Sequence, residues 1–330
     1  MGGQRVKGLV VGLGAMGLNH LRVLDSTPGV QVAGVVDPDA GRLAEAAGSG
    51  AWPSYAGLEA ALDEARPDFV CLATPFDQLF ALARRALEAG VAVLVEKPMA
   101  PDEESALELI DLARARTLLL GVGYVERCNP GVQRVKDELD AGRIGRVYEL
   151  HSRRLGPPDA RAVAMGVALD LATHDLDVMR YLAGAEVRRV ATEAVRQDAS
   201  LVEEALVGVV RFDNDVVGVV EASRLAAERV RELEVVGEQG TLVLDYLAQK
   251  LAVHAPGTDP VGLPVTRREP LRIQWDRFVG ALRNGTSPAV DGFDGLAALS
   301  TARALQRSAA RGTTVVPEYR SLDAPRRAAL

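Results

Sequence analysis

The sequence is short of several features that would each have named a function class. Two cysteines, Cys71 and Cys128, among 330 residues supply neither a disulfide framework nor a zinc-ligand pattern. They read as packed or idle thiols of a reducing compartment. Positive charge is not in excess: the net charge is -7 and the basic residues are scattered among acids, so there is no general attraction for nucleic acid or an anionic membrane. Any anionic ligand must be met by local arginines. No apolar run reaches membrane-spanning length, and the opening MGGQRVKGLVVGLG passes into a glycine motif without a small-residue cleavage site. The expectation is a cytoplasmic protein without internal repeats. What is present is apolar bulk, at 48% hydrophobic residues, in a chain longer than single cores usually grow. Two domains are expected.

From Val6 to Gly123 short β-branched runs alternate with longer Ala/Leu/Arg/Glu stretches. KGLVVG, VQVAGVV, DFVCLA, VAVLV and TLLLGVG read as strands, with a weaker one near AWPSY, and DQLFALARRALEAG and DEESALELIDLARAR read as helices. Continuous apolar strands separated by helices predict a doubly wound α/β domain with a parallel sheet, over 1–123. Beyond it the texture changes. NPGVQRVKDELDAG is helical, RVYELHSRR is strand-like, and ALDLATHDLDVMRYLAG reads as one helix. EVRRVATEAV, ALVGVVRF, VVGVVEAS, RVRELEVVG, GTLVLD and KLAVHA then follow as strands joined by turns such as FDNDV and EQG. An α+β domain over 124–330 with an antiparallel sheet is expected. QWDRFVGALRNG and GLAALSTARALQRSAARG return to helix and are expected to pack near the first domain, and 317–330 reads as a loose tail or interface arm.

VKGLVVGLGAMGLNHLRVL sets Gly12, Gly14 and Gly17 between a strand and a helix. Such glycines permit a tight turn, a close backbone approach to a pyrophosphate and close helix–strand packing, while the helix N-terminus offers N–H donors. The turn itself, Gly12, Gly14, Ala15, Met16 and Gly17, is the expected phosphate cradle. Asp37, about twenty residues on, ends the next strand, where an acid accepts from a ribose 2′-hydroxyl and repels a 2′-phosphate. NAD is therefore favoured over NADP, although Arg42 lies near enough to meet a phosphate if its loop moved. Two further features carry chemistry. EKPM places Lys97 at the carboxyl edge of the parallel sheet, facing the ligand crevice; a solvated strand-end lysine is the plainer alternative. LDLATHDLD puts Asp170 and His174 four apart on one helical face, where a packed histidine is the plainer alternative.

GLGAMG, Asp37, EKP, GYVERCNP and ALDLATHD, in this order, resemble the Gfo/Idh/MocA family of dehydrogenases over nearly the whole chain. The resemblance implies an N-terminal Rossmann domain, a C-terminal domain with a large open antiparallel sheet, and burial of that sheet in a homodimer or homotetramer. It implies Lys97, Asp170 and His174 as catalytic residues, often with a cis bond before Pro98. Thr74, Pro75 and Glu96 fall beside the cofactor, and Tyr124 could line the nicotinamide pocket or simply pack. One departure is Leu79, near where many members carry a histidine after the TP segment. The chemistry needs a base on the hydroxyl as hydride leaves carbon for the nicotinamide. His174 is the candidate base, Lys97 the alkoxide stabiliser, and Asp170 holds a substrate hydroxyl or orients the lysine.

ERCNP, HSRRLGP and the wording around ALDLATHD are most similar to the branch of the family that oxidises C3 of nucleotide sugars such as UDP-N-acetylglucosamine. Arg127, Asn129, Arg153 and Arg154 then become substrate contacts, since the guanidinium fork suits phosphate oxygens; for either RVYELHSRR arginine a solvent-facing role is the alternative. His151 is expected on the sheet surface, and Arg161 is the one basic residue offered by PPDARAVAMG. The alternatives are oxidation of inositol or a free hexose, an NAD-dependent glycosidase, and a non-catalytic NAD(P)-binding regulator.

Overall fold

The computed structural model describes residues 5–158, 165–197 and 202–321. Arg161 and the end of the chain after 321 lie outside the described residues. Two compact units emerge: residues up to Val125 together with Glu269–Leu296, and Glu126–Arg268 together with the chain from Ala297.

The first unit begins with β1 (Val6–Val11), α1 (Ala15–Asp25), β2 (Val30–Val36), α2 (Ala40–Ser49), β3 (Ser54–Tyr55) and α3 (Leu58–Ala65). It continues through β4 (Phe69–Leu72), α4 (Phe76–Glu88), β5 (Ala92–Val95), α5 (Glu103–Ala115) and β6 (Leu120–Val122). The strands form one parallel sheet in the order β3-β2-β1-β4-β5-β6. The order reverses between β1 and β4, which opens a crevice at the carboxyl ends of those strands. β4 and β5 are buried along their whole length because helices cover both faces. Capping follows chemistry: Asp39 accepts from the Gly41 and Arg42 N–H groups at α2, and Asp102 from the Ser105 N–H at α5.

The second unit carries α6 (Pro130–Asp140), β7 (Val147–Leu155), a five-residue π turn (Ala168–Ala172), α7 (Thr173–Ala183) and seven more strands. These are β8 (Val187–Val195), β9 (Ala205–Phe212), β10 (Val217–Ser223), β11 (Val230–Gly237), β12 (Gly240–Asp245), β13 (Lys250–His254) and β14 (Val261–Leu263). The sheet runs β14-β13-β12-β11-β7-β10-β9-β8. It is antiparallel except at its centre, where β7 and β10 pair in parallel. The exception arises because β7 feeds α7 rather than a hairpin, so the chain re-enters the sheet beyond β7 and β10 comes back alongside in the same sense. β14 escaped the sequence reading: it is three residues with glycine in the middle and little burial.

α8 (Pro270–Asn284) returns to the first unit, and α9 (Gly292–Arg311) begins there and ends in the second. The apolar face of α8 is aromatic. Trp275 and Phe278 pack on Phe69 of β4 at centroid distances of 5.3 and 5.7 Å, and on each other at 5.5 Å. Gly8 makes room, since a Cβ there would stand 2.3 Å from the Phe69 ring. The end of the chain is less loose than expected as far as it is described: Glu318–Ser321 form a 3-10 turn in which Tyr319 is 1% exposed and donates to Glu186 at 2.9 Å. Cys71 and Cys128 are free and buried.

Candidate active site

The glycine turn lies between β1 and α1. Gly12 has φ +89, and a Cβ on it would meet the Ala73 carbonyl oxygen at 2.6 Å. A Cβ on Gly17 would overlap the Gly12 carbonyl oxygen at 1.7 Å. Gly14 is the opposite case: nothing stands within 4 Å of its missing side chain. Gly14 is also the N-cap of α1 and supplies no side-chain cap, and the first turn, led by the exposed Ala15 and Met16, holds no acid. The first N–H groups of α1 are thus left to an outside acceptor across an open glycine, which fits a dinucleotide pyrophosphate. Asp37 is 2% exposed at the end of β2, and its two carboxylate oxygens accept from Leu13 N–H at 2.7 Å and Asp39 N–H at 2.9 Å. Those bonds lock the acid to the glycine turn, while Arg42 stands 3.6 Å away. Thr74 and Pro75 follow β4, with Pro75 as the exposed N-cap of α4. Leu79, in contrast, is 1% exposed and faces the core.

Glu96 and Lys97 follow β5. The Lys97–Pro98 bond is cis. Glu96 is fixed from two sides: its Oε1 is 2.9 Å from Nε2 of His20 in α1, and its Oε2 accepts from the Lys97 backbone N–H at 3.3 Å. A Cβ on Gly123 would come within 2.8 Å of the Glu96 carboxyl and push it from its place. His20 is fully buried, and its Nδ1 accepts from the Trp275 indole N–H at 2.9 Å. Lys97 itself is half-buried. Tyr124 is 1% exposed, so within this unit it is a packing residue.

In the second unit the expected single helix is two structures in series. Asp170 belongs to the π turn and His174 to the first turn of α7. The turn has an anchor. Glu203, 4% exposed, accepts from the Ala168 N–H and from Gln306, each at 3.0 Å, and its own carbonyl accepts from the Val167 N–H at 3.0 Å. Asp170 is held by Arg224 at the end of β10, whose Nη2 donates to its Oδ2 at 2.8 Å. π turns of this kind occur often at functional sites because they push a side chain out of the regular ladder. His174 remains partly exposed.

The other expected substrate contacts sit differently. Arg127, 6% exposed, is clamped on Asp177, with Nε donating at 3.0 Å. Arg154, 5% exposed, makes a fork on Asp175 at 2.7 and 3.1 Å and reaches Glu126 at 3.1 Å. Burial pushes the Asp175 carboxyl up, and Arg154 opposes the rise. Arg153 points to the opposite, exposed sheet face, between Glu221 at 3.1 Å and Glu232 at 3.3 Å. Asn129 caps α6 through Gly131 N–H at 2.9 Å and donates to the Tyr246 carbonyl. Of the four expected substrate contacts, Arg127 and Arg154 are engaged by buried carboxylates, which desolvation makes costly to release, Asn129 bonds to backbone, and Arg153 lies in exposed pairs that are easily exchanged. His151 is on the sheet surface, 2.8 Å from Glu149.

Sequence reasoning passed over His20, Trp275, Arg224 and Glu203. Only His20, three residues after the last glycine of the turn, carried a positional hint, and its apolar helix face disguised it.

Residues 6–124 match the family described as an oxidoreductase family with an NAD-binding Rossmann fold, and residues 132–243 match the GFO/IDH/MocA C-terminal domain. UDP-N-acetylglucosamine 3-dehydrogenase of Acidithiobacillus ferrooxidans is 31% identical over 89% of this chain and 94% of its own. Its solved structure superposes with a TM-score of 0.85 over 92% of this chain and 97% of that one, at 28% identity. The NAD(+)-dependent scyllo-inositol 2-dehydrogenase of Bacillus subtilis is 28% identical over 94% of this chain and 96% of its own. With an NAD-binding Rossmann unit, the family's own C-terminal sheet domain and dehydrogenases of sugars and cyclitols as its relatives, this chain belongs to the GFO/IDH/MocA family of NAD-dependent oxidoreductases acting on sugar or polyol hydroxyls.

Proposed function

We propose that the protein oxidises a secondary hydroxyl of a sugar, at C3 of a nucleotide sugar of the UDP-N-acetylglucosamine type, with Lys97, Asp170 and His174 as the catalytic residues. The observation that supports the reaction class is a π turn bearing Asp170 that runs straight into the first turn of α7 bearing His174, with the Asp170 carboxylate held by Arg224. The nucleotide-sugar assignment rests on the 31% identical relative.

The bound nicotinamide supplies the hydride acceptor. His174 takes the hydroxyl proton, as an imidazole is suited to do near neutrality. The Lys97 ammonium stabilises the alkoxide that develops on that oxygen, and Glu96 fixes the backbone from which the lysine projects. Asp170, paired with the Arg224 guanidinium, accepts from a neighbouring sugar hydroxyl and orients the ring. Asp37 accepts from the adenine ribose, which favours NAD over NADP. The reading requires the two units to present these groups to one substrate.

A second reading is oxidation of a free cyclitol or hexose. It is favoured by a specific observation: Arg127, Arg153 and Arg154, the expected diphosphate clamp, are spoken for by carboxylates. NADH absorbance with UDP-N-acetylglucosamine, myo-inositol, scyllo-inositol and glucose separates the two. Turnover of the nucleotide sugar alone supports the first assignment, turnover of the cyclitols or glucose alone replaces it, and NAD binding with no turnover of any sugar overturns the enzyme reading.

A further inference from the structure

Both nitrogens of a buried imidazole need partners, because an unmet polar atom in an apolar core costs a large part of a hydrogen bond's worth. His20 lies on α1 with no exposed surface, within 5.6 Å of the Trp275 ring and packed edge-on at 85°. The indole N–H can only donate. Since it points at Nδ1, that nitrogen must carry the lone pair, and the proton of the neutral ring sits on Nε2, aimed at Glu96.

The ionisable groups that face the ring are Glu96, after β5, and Cys71, in β4. Burial disfavours the imidazolium, while the charge and hydrogen bonding of Cys71 and then of Glu96 favour it and push the pKa up. An imidazolium, however, would set its Nδ1–H against the indole N–H, two donors head-on at 2.9 Å. The geometry holds the neutral ring.

We infer that Trp275 and His20 are positioning residues for Lys97: a chain of directed hydrogen bonds runs from the indole N–H through a neutral imidazole to the Glu96 carboxylate, and from Glu96 to the Lys97 backbone N–H. The lysine's direction as it leaves β5 is thereby set from α8, by a residue 255 positions from the histidine it grips. Gly123 completes the clamp, since a side chain there would displace the Glu96 carboxyl. The inference rests on the catalytic role proposed for Lys97, but its tautomer and its grip on the lysine backbone can be read without turnover.

The protein has four histidines and four lysines, so selective 15N labelling gives spectra that single substitutions assign. In the wild type, the His20 ring is expected to stay neutral and Nε2-protonated from about pH 6 to 9, as a buried imidazole with a donor on Nδ1 must. In Trp275→Phe, which keeps an aromatic ring but removes the donor, His20 begins to titrate in that window and the Lys97 amide signal moves with it. With a sugar substrate in hand, Trp275→Phe adds an ionisation to the pH profile of kcat. His20→Leu lowers kcat about tenfold or more through lost alignment, leaving KM within about threefold. His20→Gln, whose amide can donate where Nε2 did, recovers most of it. An imidazolium signal for wild-type His20 throughout that window overturns the neutral relay. A Lys97 amide signal unmoved in folded His20→Leu, or pH profiles that superpose on the wild type, overturns the positioning role. Absence of any sugar turnover defeats the functional reading instead, while the two NMR signals still decide this one.

Discussion

Adjacent arginines in β7 have opposite fates because successive side chains of a strand face opposite ways. Arg154 turns inward to Asp175 beneath α7, and Arg153 turns outward to a row of surface acids. The sequence string SRR offers two equal phosphate ligands, and the structure makes them unequal, one buried on a carboxylate and one in exposed pairs. At the same scale, His174 and Asp37 make separable predictions. His174→Ala should lower kcat by about 10²- to 10⁴-fold, the usual worth of a general base, with NAD affinity nearly unchanged by titration. Full retention of turnover would remove this imidazole from the chemistry. Asp37→Ala should weaken NAD more than NADP, because it removes a 2′-hydroxyl acceptor and a 2′-phosphate repellent together. It also frees the Leu13 N–H, so some loss for both cofactors is expected; an unchanged ratio of the two dissociation constants counts against the ribose contact.

At the scale of elements, the two ends of the proposed chemistry are supported by segments that the linear reading did not connect with them. The π turn is held by Glu203, and α7 is tied to β7 by the buried Arg154–Asp175 fork. Arg154→Met should destabilise the protein by about 3–5 kcal/mol, since it leaves Asp175 a buried charge without its partner. Adding Asp175→Leu should recover much of that loss in urea denaturation; strict additivity of the two substitutions would show that the pair does not act as a unit. Besides the buried Trp275–His20 bond, the start of α8 is tied to α1 by the exposed pair Arg22–Glu269. Arg22 holds the Glu269 carboxyl below its ordinary value of 4.5. A depressed carboxylate contributes fully above the unfolded value and loses its contribution as pH falls through the folded one. Glu269→Gln should therefore flatten the acid limb of Tm against pH below about 4.5 and leave neutral stability little changed, as exposed pairs contribute little. A larger neutral loss than acid loss would contradict this.

For the molecule as a whole, the outer face of the second unit's sheet carries Val207 and Val209, 51% and 46% exposed, beside the Arg153 row. An apolar sheet face of this kind supports the expected homo-oligomer. Light scattering should give a dimer or tetramer, and Val207→Glu with Val209→Glu should shift it to a smaller species; a wild-type monomer at micromolar concentration ends that expectation. No helix among the described residues is long and apolar enough to cross a membrane.

By itself the sequence determined the two-part architecture, the glycine turn with its acid at the end of β2, and the order of nearly every strand and helix. These are local facts: apolar period, turn chemistry and spacing within about forty residues are written along the chain. Tertiary structure alone decided which polar groups are spent on one another. That Arg154 is consumed by Asp175, that Arg224 holds Asp170, and that Trp275 reaches His20 depends on which elements pack together, at separations of 21, 54 and 255 residues. A hydrogen bond is a property of two positions in space, and a chain that pairs distant positions records each partner without recording the pair.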